Sequence, residues 1–389
     1  MSDGIVKIPA LYAALALVAG VVASYYFGLT YHIPLAIIIA GGILFWVTPL
    51  RALSAAIMVV GVGALALSLG EAGAVSDSIE GGGFVEATSS IASRRLDMLG
   101  LSSHARSVGG AISLGERWLL DGRELAAYQR SGAAHFLALS GLHVAIVFAL
   151  INSLLRYFVL LRYGHLLKGV ISIAMIWLYA LVVGMPESVV RAAVMFSFYV
   201  AAQSLSLPYV GLNILGAAIF VMVIASPMVV WSVGFQLSVI AVAAIFLWAL
   251  PICRAIAAES RFVKWTLSSV VISLCCTVAL APLSALYFNY IPIIGLLFTP
   301  LFMLTVTLIL TLCLCWVLVP LPMLAPFVAL PIESAVMVQA ALARVVSSLK
   351  WGGVELSITP DVAAMVYAIY LLITIIARDK KVRYLNKKQ

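Results

Sequence analysis

The chain has 389 residues, of which 64% are hydrophobic and only 10% charged, with a formal net charge of +8 and a mean hydropathy of +1.17. A soluble domain is nearer 45–50% apolar with about a quarter of its residues charged, so the composition excludes an ordinary globular enzyme and fits an integral membrane protein. The positive balance has a local source: stretch 378–389 carries six basic residues against one acid and reads as a positive-inside anchor.

Taken in chain order, apolar runs lie at roughly 8–29, 32–50, 52–70, 135–155, 169–184, 188–205, 212–226, 228–250, 265–288, 292–318, 322–346 and 360–377. A membrane-spanning helix needs about 20 such residues. The expected fold class is therefore all-α: a polytopic integral membrane protein of about 10–12 transmembrane helices, some broken or re-entrant. The first run is too long for the core of a cleavable signal and is closely followed by another. The run at 292–318 starts at Pro292, is interrupted by Pro300 and is a candidate re-entrant segment. The run at 322–346, with Pro322, Pro326, Pro331, Glu333 and Arg344, is the weakest span.

Four parts follow from this pattern: N-terminal transmembrane helices at 1–71, a hydrophilic segment at 72–134, a helical core at 135–377 and the basic tail at 378–389. Arg51, the Arg156–Arg162–Lys168 loop, the Arg254–Arg261–Lys264 loop and the tail all fall on one side when the spans alternate. The positive-inside rule makes that side cytoplasmic, with both termini inside and 72–134 outside. The hydrophilic segment opens with "GAVSDSIEGGG" and continues with mixed three- and four-residue apolar spacings, which predict two or three short amphipathic helices at the membrane surface. The five cysteines, Cys253, Cys275, Cys276, Cys313 and Cys315, are odd in number and lie in or beside apolar runs, so they read as small core residues.

Polar residues inside spans are costly, about 2.5–3.5 kcal/mol for Arg, Lys or Asp at a helix centre, and need a reason. Three clusters stand out. In "SGAAHFLALSGLHVAIV", Ser140 and His143 are three apart and share a face, while His135 lies about 80° away around the helix axis. Ser140-Gly141 removes bulk and allows a backbone or substrate to approach; a tight helix crossing with each imidazole bonded to a neighbouring carbonyl explains the stretch equally well. In "VVGMPESVVRAAVM", Gly184 ends one helix and Glu187 starts the next, where the dipole favours a carboxylate. Arg191, four residues on, can pair with Glu187, but a buried cation is more natural where something anionic passes. In "WSVGFQLSVIAV", Gly234, Gln236 and Ser238 interrupt an apolar run, and Gln236 must face protein or water. The candidate path or gate residues are thus His135, Ser140, Gly141, His143, Glu187, Ser188, Arg191, Gln236 and Ser238.

The five histidines form no zinc-protease motif, no phosphate-binding loop with a GK[ST] ending occurs, and no paired carboxylates stand in a soluble domain. No catalytic residue, metal or cofactor is expected, and the chain is not expected to be an enzyme. Its work is passive, gradient-coupled or driven by a partner.

The clusters, in this order, resemble the ComEC family of competence proteins. "GAAHFLALSGLHVAIV" is similar to the family signature ending in S-G-L-H. "WLYALVVGMPESVVRAAVM" is similar to its W-x-Y-x-x-x-x-G-x-x-x-S-x-x-R-A segment, and "NILGAAIFVMVIASPMVVWSVGFQLSVIAV" to its N-x-L, Pro and G-F-Q-L-S segment. The resemblance implies an inner-membrane channel for single-stranded DNA entering the cytoplasm in natural transformation. It also implies separate DNA-binding, nuclease and cytoplasmic motor proteins as partners. Three departures stand beside it. Stretch 72–93 is too short for the family's OB domain, no metallo-β-lactamase-like domain precedes Gln389, and Thr299 in "YFNYIPIIGLLFTPLF" stands near the family's usual Asn. A channel for a polyanion needs cations and aromatics at its mouth. The candidates in the outer segment are Arg94, Arg95, Arg117, Arg123 and Arg130 with Trp118 and Tyr128, although eight acids from Glu71 onward offset them. The competing expectation is a permease or membrane scaffold for another anionic substrate on the same core.

Overall fold

The computed structural model describes residues 9–30, 32–47, 51–73, 82–160, 163–207, 210–257, 259–293, 295–349 and 353–386. In chain order these form α1 (Pro9–Phe27), α2 (His32–Val47), α3 (Arg51–Gly73), α4 (Gly82–Asp97), α5 (Ser103–Leu114), α6 (Gly122–Arg130), α7 (Ala134–Leu137), α8 (Gly141–Leu154) and α9 (Gly164–Val182). There follow α10 (Glu187–Ser204), α11 (Gly211–Ala225), α12 (Val233–Ala244), α13 (Leu250–Ala255), α14 (Arg261–Phe288) and the short strand β1 (Tyr290–Pro292). The chain ends with α15 (Gly295–Leu318), α16 (Ala325–Ser348), the strand β2 (Gly353–Glu355) and α17 (Pro360–Asn386). The two strands pair antiparallel, with Ile291 opposite Val354.

All twelve apolar runs fall on helical segments. Among the described residues, seven helices are long and apolar enough to cross a membrane: Pro9–Phe27, Gly141–Phe158, Gly164–Val182, Val233–Ala255, Arg261–Phe288, Phe298–Leu318 and Pro322–Ser348. Shorter apolar helices span Ala55–Leu67, Gly211–Ala225 and Pro360–Ile376. Large apolar side chains face outward along them; on α17, Leu371, Leu372, Ile373 and Ile375 are each more than half exposed. Water would make that an aggregation surface, whereas lipid solvates it. The protein is an all-α, multi-pass membrane protein.

Two of the runs differ in detail from the expected spans. Run 135–155 is broken: α7 ends at Leu137, Ala138 and Ser140 are extended, and α8 begins at Gly141. Run 292–318 is a single helix from Gly295 that contains Pro300. A π segment, Ile245–Ala249, joins α12 to α13 just before Pro251. The basic tail is not a separate element as far as it is described, because α17 continues to Asn386; Lys387 and Lys388 lie outside the described residues. The "GAVSDSIEGGG" opening lies largely outside them as well, as does Arg162.

The chain forms two compact units. One comprises Ile8–Arg94 and Leu139–Val239. In it α1 packs against α3 and α11, and α2 against α3. The backbones touch at these crossings: a Cβ on Gly20 would lie 1.9 Å from the Val60 carbonyl oxygen, and one on Gly63 would lie 2.1 Å from that of Leu17. Membrane helices, which gain nothing by hiding apolar surface from lipid, associate through such small-residue contacts. The Ala10 amide donates to Asn213 Oδ1 at 2.8 Å and fixes the start of α1 on α11. Helices α8, α9 and α10 pack on one another, and α10 also on α11. The turn from α9 to α10 is a Schellman motif, with Gly184 N bonded to Leu181 O and Met185 N to Ala180 O. Both Gly184 (φ 84°) and Met185 (φ 54°) are left-handed, which strains a side chain such as methionine.

The other unit contains Arg95–Ala138 and Ile240–Gln389. Here α15 pairs with α16, and α14 packs on α15 and α17. From Arg95 onward the hydrophilic segment is folded into this unit. Helix α5 rests on both α15 and α16, and Ala105 together with Ser107 through Leu114 is buried. Arg95 Nη1 donates to Val317 O at 2.7 Å while Trp316 Nε1 donates to Arg95 O at 2.8 Å. Further along, the Ser102 amide donates to Glu333 Oε1 at 2.9 Å, which accounts for one carboxylate in the weakest span. Arg106 bridges Asp97 at 2.5 Å and Glu116 at 2.6 Å. Burial alone pulls its guanidinium down, but the hydrogen bonds to Glu116 and Asp97 outweigh that and hold it above the ordinary arginine value. Among the cysteines, Cys275 and Cys313 are buried, but Cys315 is exposed and not a core residue.

Candidate functional site

Three helix starts meet in the first unit. Ser140 is extended and precedes α8; its backbone N–H donates to His143 Nδ1 at 3.2 Å, and its Oγ lies 3.0 Å from the same nitrogen. His143 thereby does what Glu or Gln does at the third position of a capping box. It is fully buried, with its Nδ1 serving as an acceptor. The 139 carbonyl just upstream accepts from Ser188 Oγ at 2.6 Å, which ties the start of α8 to the start of α10. A Cβ on Gly141 would meet only Ala192 Cβ, at 3.8 Å, so this glycine is exposed and not at a tight backbone crossing.

Helix α10 follows Pro186 and places Glu187 in its first turn. Arg191, one turn on, is 5% exposed. Its Nη2 donates to the Gly234 carbonyl of α12 at 2.9 Å, and its Nη1 lies 3.6 Å from Glu187 Oε2. The carboxylate is 67% exposed and also accepts from Ser232 Oγ at 2.9 Å. Arg191 Nε is buried without a hydrogen-bond partner among the described residues. Gln236 Nε2 folds back onto Val230 O at 3.0 Å and closes the turn before α12. Ser238, half a turn further, makes no hydrogen bond that the structure records among the described residues.

The structure thus joins Ser140, Gly141, His143, Glu187, Ser188, Arg191 and Gln236 around the N-termini of α8, α10 and α12. Each N-terminus carries the equivalent of about half a positive charge in unsatisfied N–H groups. With a guanidinium among them the local field favours an anion, and the exposed Glu187 carboxylate partly offsets it. His135 belongs to the other unit, where its Nδ1 donates to Gly132 O at 2.8 Å.

Sequence reasoning passed over one participant and two other buried polar residues. Ser232 orients Glu187. Tyr179 on α9 is 5% exposed, and its buried hydroxyl has no hydrogen-bond partner among the described residues. In the other unit, Gln339 on α16 is fully buried with both amide atoms unpartnered among the described residues. A polar residue within an apolar run was the available signal for each, the same one that marked Gln236.

Of the candidate DNA contacts, Arg94, Arg117, Arg123, Arg130 and Trp118 are exposed, Trp118 at 77%. Arg95 is partly buried and committed to Val317. Tyr128 is 1% exposed, so its ring is unavailable for stacking on a base at the surface; α6 turns it inward against α16. No cluster of three or more metal-ligating side chains occurs among the described residues.

A family model described as "Competence protein" matches residues 112–381. The chain is 29% identical to ComE operon protein 3 of Bacillus subtilis (strain 168) over 130 residues, which is 33% of this chain and 16% of that protein. It therefore spans only a small part of the curated relative it matches. No solved structure matches.

Proposed function

This chain belongs to the competence protein family, and we propose that it forms an inner-membrane channel through which single-stranded DNA passes into the cytoplasm during natural transformation. The observation that supports this reading best is Arg191. It is a guanidinium buried in a membrane protein, anchored to the Gly234 carbonyl, at the place where three helices begin. Helix N-termini and an arginine are the chemistry of phosphate recognition. The retained spare Nε–H and the exposed Glu187 make the site suited to transient contacts, since tight binding of each phosphate would stall a moving strand.

In this proposal the chain is a conduit and not an enzyme, and it requires no cofactor. DNA-binding, nuclease and motor activities come from separate proteins, and both termini are cytoplasmic. The exposed cations of the α4–α6 region, Arg94, Arg117 and Arg130, are the proposed contacts for incoming DNA, while Arg123 lines a cavity. The test is a deletion strain complemented with the wild-type gene or with Arg191→Leu, measuring transformation frequency and uptake of labelled DNA separately. Loss of both with the variant at normal membrane level supports the channel. Wild-type transformation in the deletion strain overturns it, in favour of a permease or scaffold for another anion.

A further inference from the structure

The second unit holds a cavity of about 400 Å³ between α5, α6 and α16, lined by His104, Arg123, Glu124, Tyr128, Met337 and Arg344 together with three alanines. That is within the size range of small-ligand sites. Its charges are not balanced. Glu124 is in contact with His104, while neither Arg123 nor Arg344 has a side-chain hydrogen-bond or ion-pair partner that the structure records among the described residues. Two guanidinium groups therefore stand at one cavity against a single carboxylate, Glu124. Tyr128 also lines the wall, and its buried hydroxyl has no hydrogen-bond partner among the described residues.

The cavity has an apolar continuation. Leu330, Met337 and Arg344 recur at seven-residue intervals on α16 and so lie on one face. Leu330 is 68% exposed and Met337 is 60% exposed, and Val338 and Val345 beside them are more than half exposed. Along a helix that rises 1.5 Å per residue, the stripe from Leu330 to Arg344 is about 21 Å long. It belongs to Pro322–Ser348, a segment long and apolar enough to cross a membrane. A cationic pocket thus ends an exposed apolar stripe of roughly acyl-chain length.

We propose that this cavity binds the phosphate headgroup of an anionic glycerophospholipid, with Arg123 and Arg344 on the phosphate, the Tyr128 hydroxyl on a headgroup oxygen and an acyl chain along Met337 and Leu330. A nucleic-acid strand shares the phosphate but not the need for an exposed apolar stripe, so the lipid is the better fit. The bound lipid would hold α6 against α16 and fix the region carrying Trp118 and Arg117 relative to the bilayer.

The test uses the whole purified protein in a non-ionic detergent. Native mass spectrometry and thermal unfolding are recorded with phosphatidylglycerol, with phosphatidylcholine and with a single-stranded oligonucleotide. The expected result is retention of phosphatidylglycerol and a rise in Tm with it, not with phosphatidylcholine, and an oligonucleotide effect, at the DNA path, that substitutions at this cavity leave unchanged. Arg123→Gln combined with Arg344→Gln should weaken that binding by about tenfold or more, the worth of one charge-assisted hydrogen bond. Arg123→Gln alone, at an exposed position, provides the same reading if the double variant does not fold. Equal effects of the two lipids, unchanged phosphatidylglycerol binding in the variants, or an oligonucleotide-induced Tm rise that the Arg123 and Arg344 variants abolish would each overturn the proposal.

Discussion

Replacing Arg191 by leucine separates function from stability because the two effects differ in size. The substitution removes one hydrogen bond from a charged donor, to Gly234 O at 2.9 Å, worth about 1.5–3 kcal/mol. It also removes an ion pair at 3.6 Å whose carboxylate is two-thirds exposed, worth at most about 1 kcal/mol. Against these losses, the desolvation cost of a buried guanidinium disappears, several kcal/mol in typical interiors, and a side chain of apolar character fills the space. The sum is within about 2 kcal/mol of zero, so Arg191→Leu should insert and accumulate normally. Transport is different. A unit charge about 4 Å from a phosphate at an effective dielectric constant near 20 contributes about 4 kcal/mol, close to a thousandfold in rate if felt at the barrier. The assay is transformation frequency at matched membrane level, with Tm in detergent on the same variant and Arg191→Lys as the charge-retaining control. A strong fall in transformation for leucine with partial recovery for lysine is expected. Wild-type frequency for the leucine variant would refute the reasoning and leave Arg191 as a structural tie between α10 and α12.

The helices were legible in the sequence because lipid imposes a length and a composition that any window can read, and all twelve apolar runs became helical segments. The break between α7 and α8 was less legible. Phe136, Leu137, Leu139 and Leu142 keep the run apolar, and only the Ser140–His143 spacing marks the new start. Read as a capping box, that spacing also accounts for the histidine without appeal to a substrate. The close crossings at Gly20 and Gly63 were missed, although the glycines were visible, because whether a glycine meets a neighbouring backbone depends on which helices become neighbours. Gly141, singled out for the same property, has a free side.

The α4–α6 region shows a related limit. Its charges mark it as hydrophilic, yet Arg106, Asp97 and Glu116 satisfy one another, and Glu333 from a distant helix receives the Ser102 amide. Charges paired within the fold look in a sequence like charges facing solvent. Tyr128 shows the same limit: an aromatic residue among arginines suggested a stacking platform, but the facing surface of α16, with Ala340 and Ala343 nearby, leaves room for the ring to turn inward. The site itself was legible as three clusters. That they are joined through Ser188–Leu139, Arg191–Gly234 and Ser232–Glu187 was not, because two of the three acceptors are backbone carbonyls, which carry no signature in sequence.

Several further outcomes are expected. A fluorophore that matures only in the cytoplasm should shine when fused after Gln389 and when inserted near Arg156–Lys168; a dark C-terminal fusion on intact protein would break the orientation. Gly20→Val should fail to accumulate in the membrane, since a Cβ there would lie 1.9 Å from Val60 O and backbone cannot yield as a side chain does; normal accumulation would show that α1 and α3 do not cross there. Gly141→Ala should be neutral in stability and transport, while Gly141→Leu should keep its Tm and lose transport if the exposed face of this residue lines the path. Loss of Tm and transport together would identify a packing site, and retention of both would identify a lipid-facing one. His143→Ala should cost about 1 kcal/mol, the usual worth of a lost cap, and His143→Gln should restore it because glutamine accepts from the same N–H at that position. Transformation then decides the role of the ring: if glutamine restores both stability and transport, His143 acts only by starting α8 where Ser188 can reach Leu139. If glutamine restores stability alone, the imidazole itself is needed, and the cap is the means by which it is held in place.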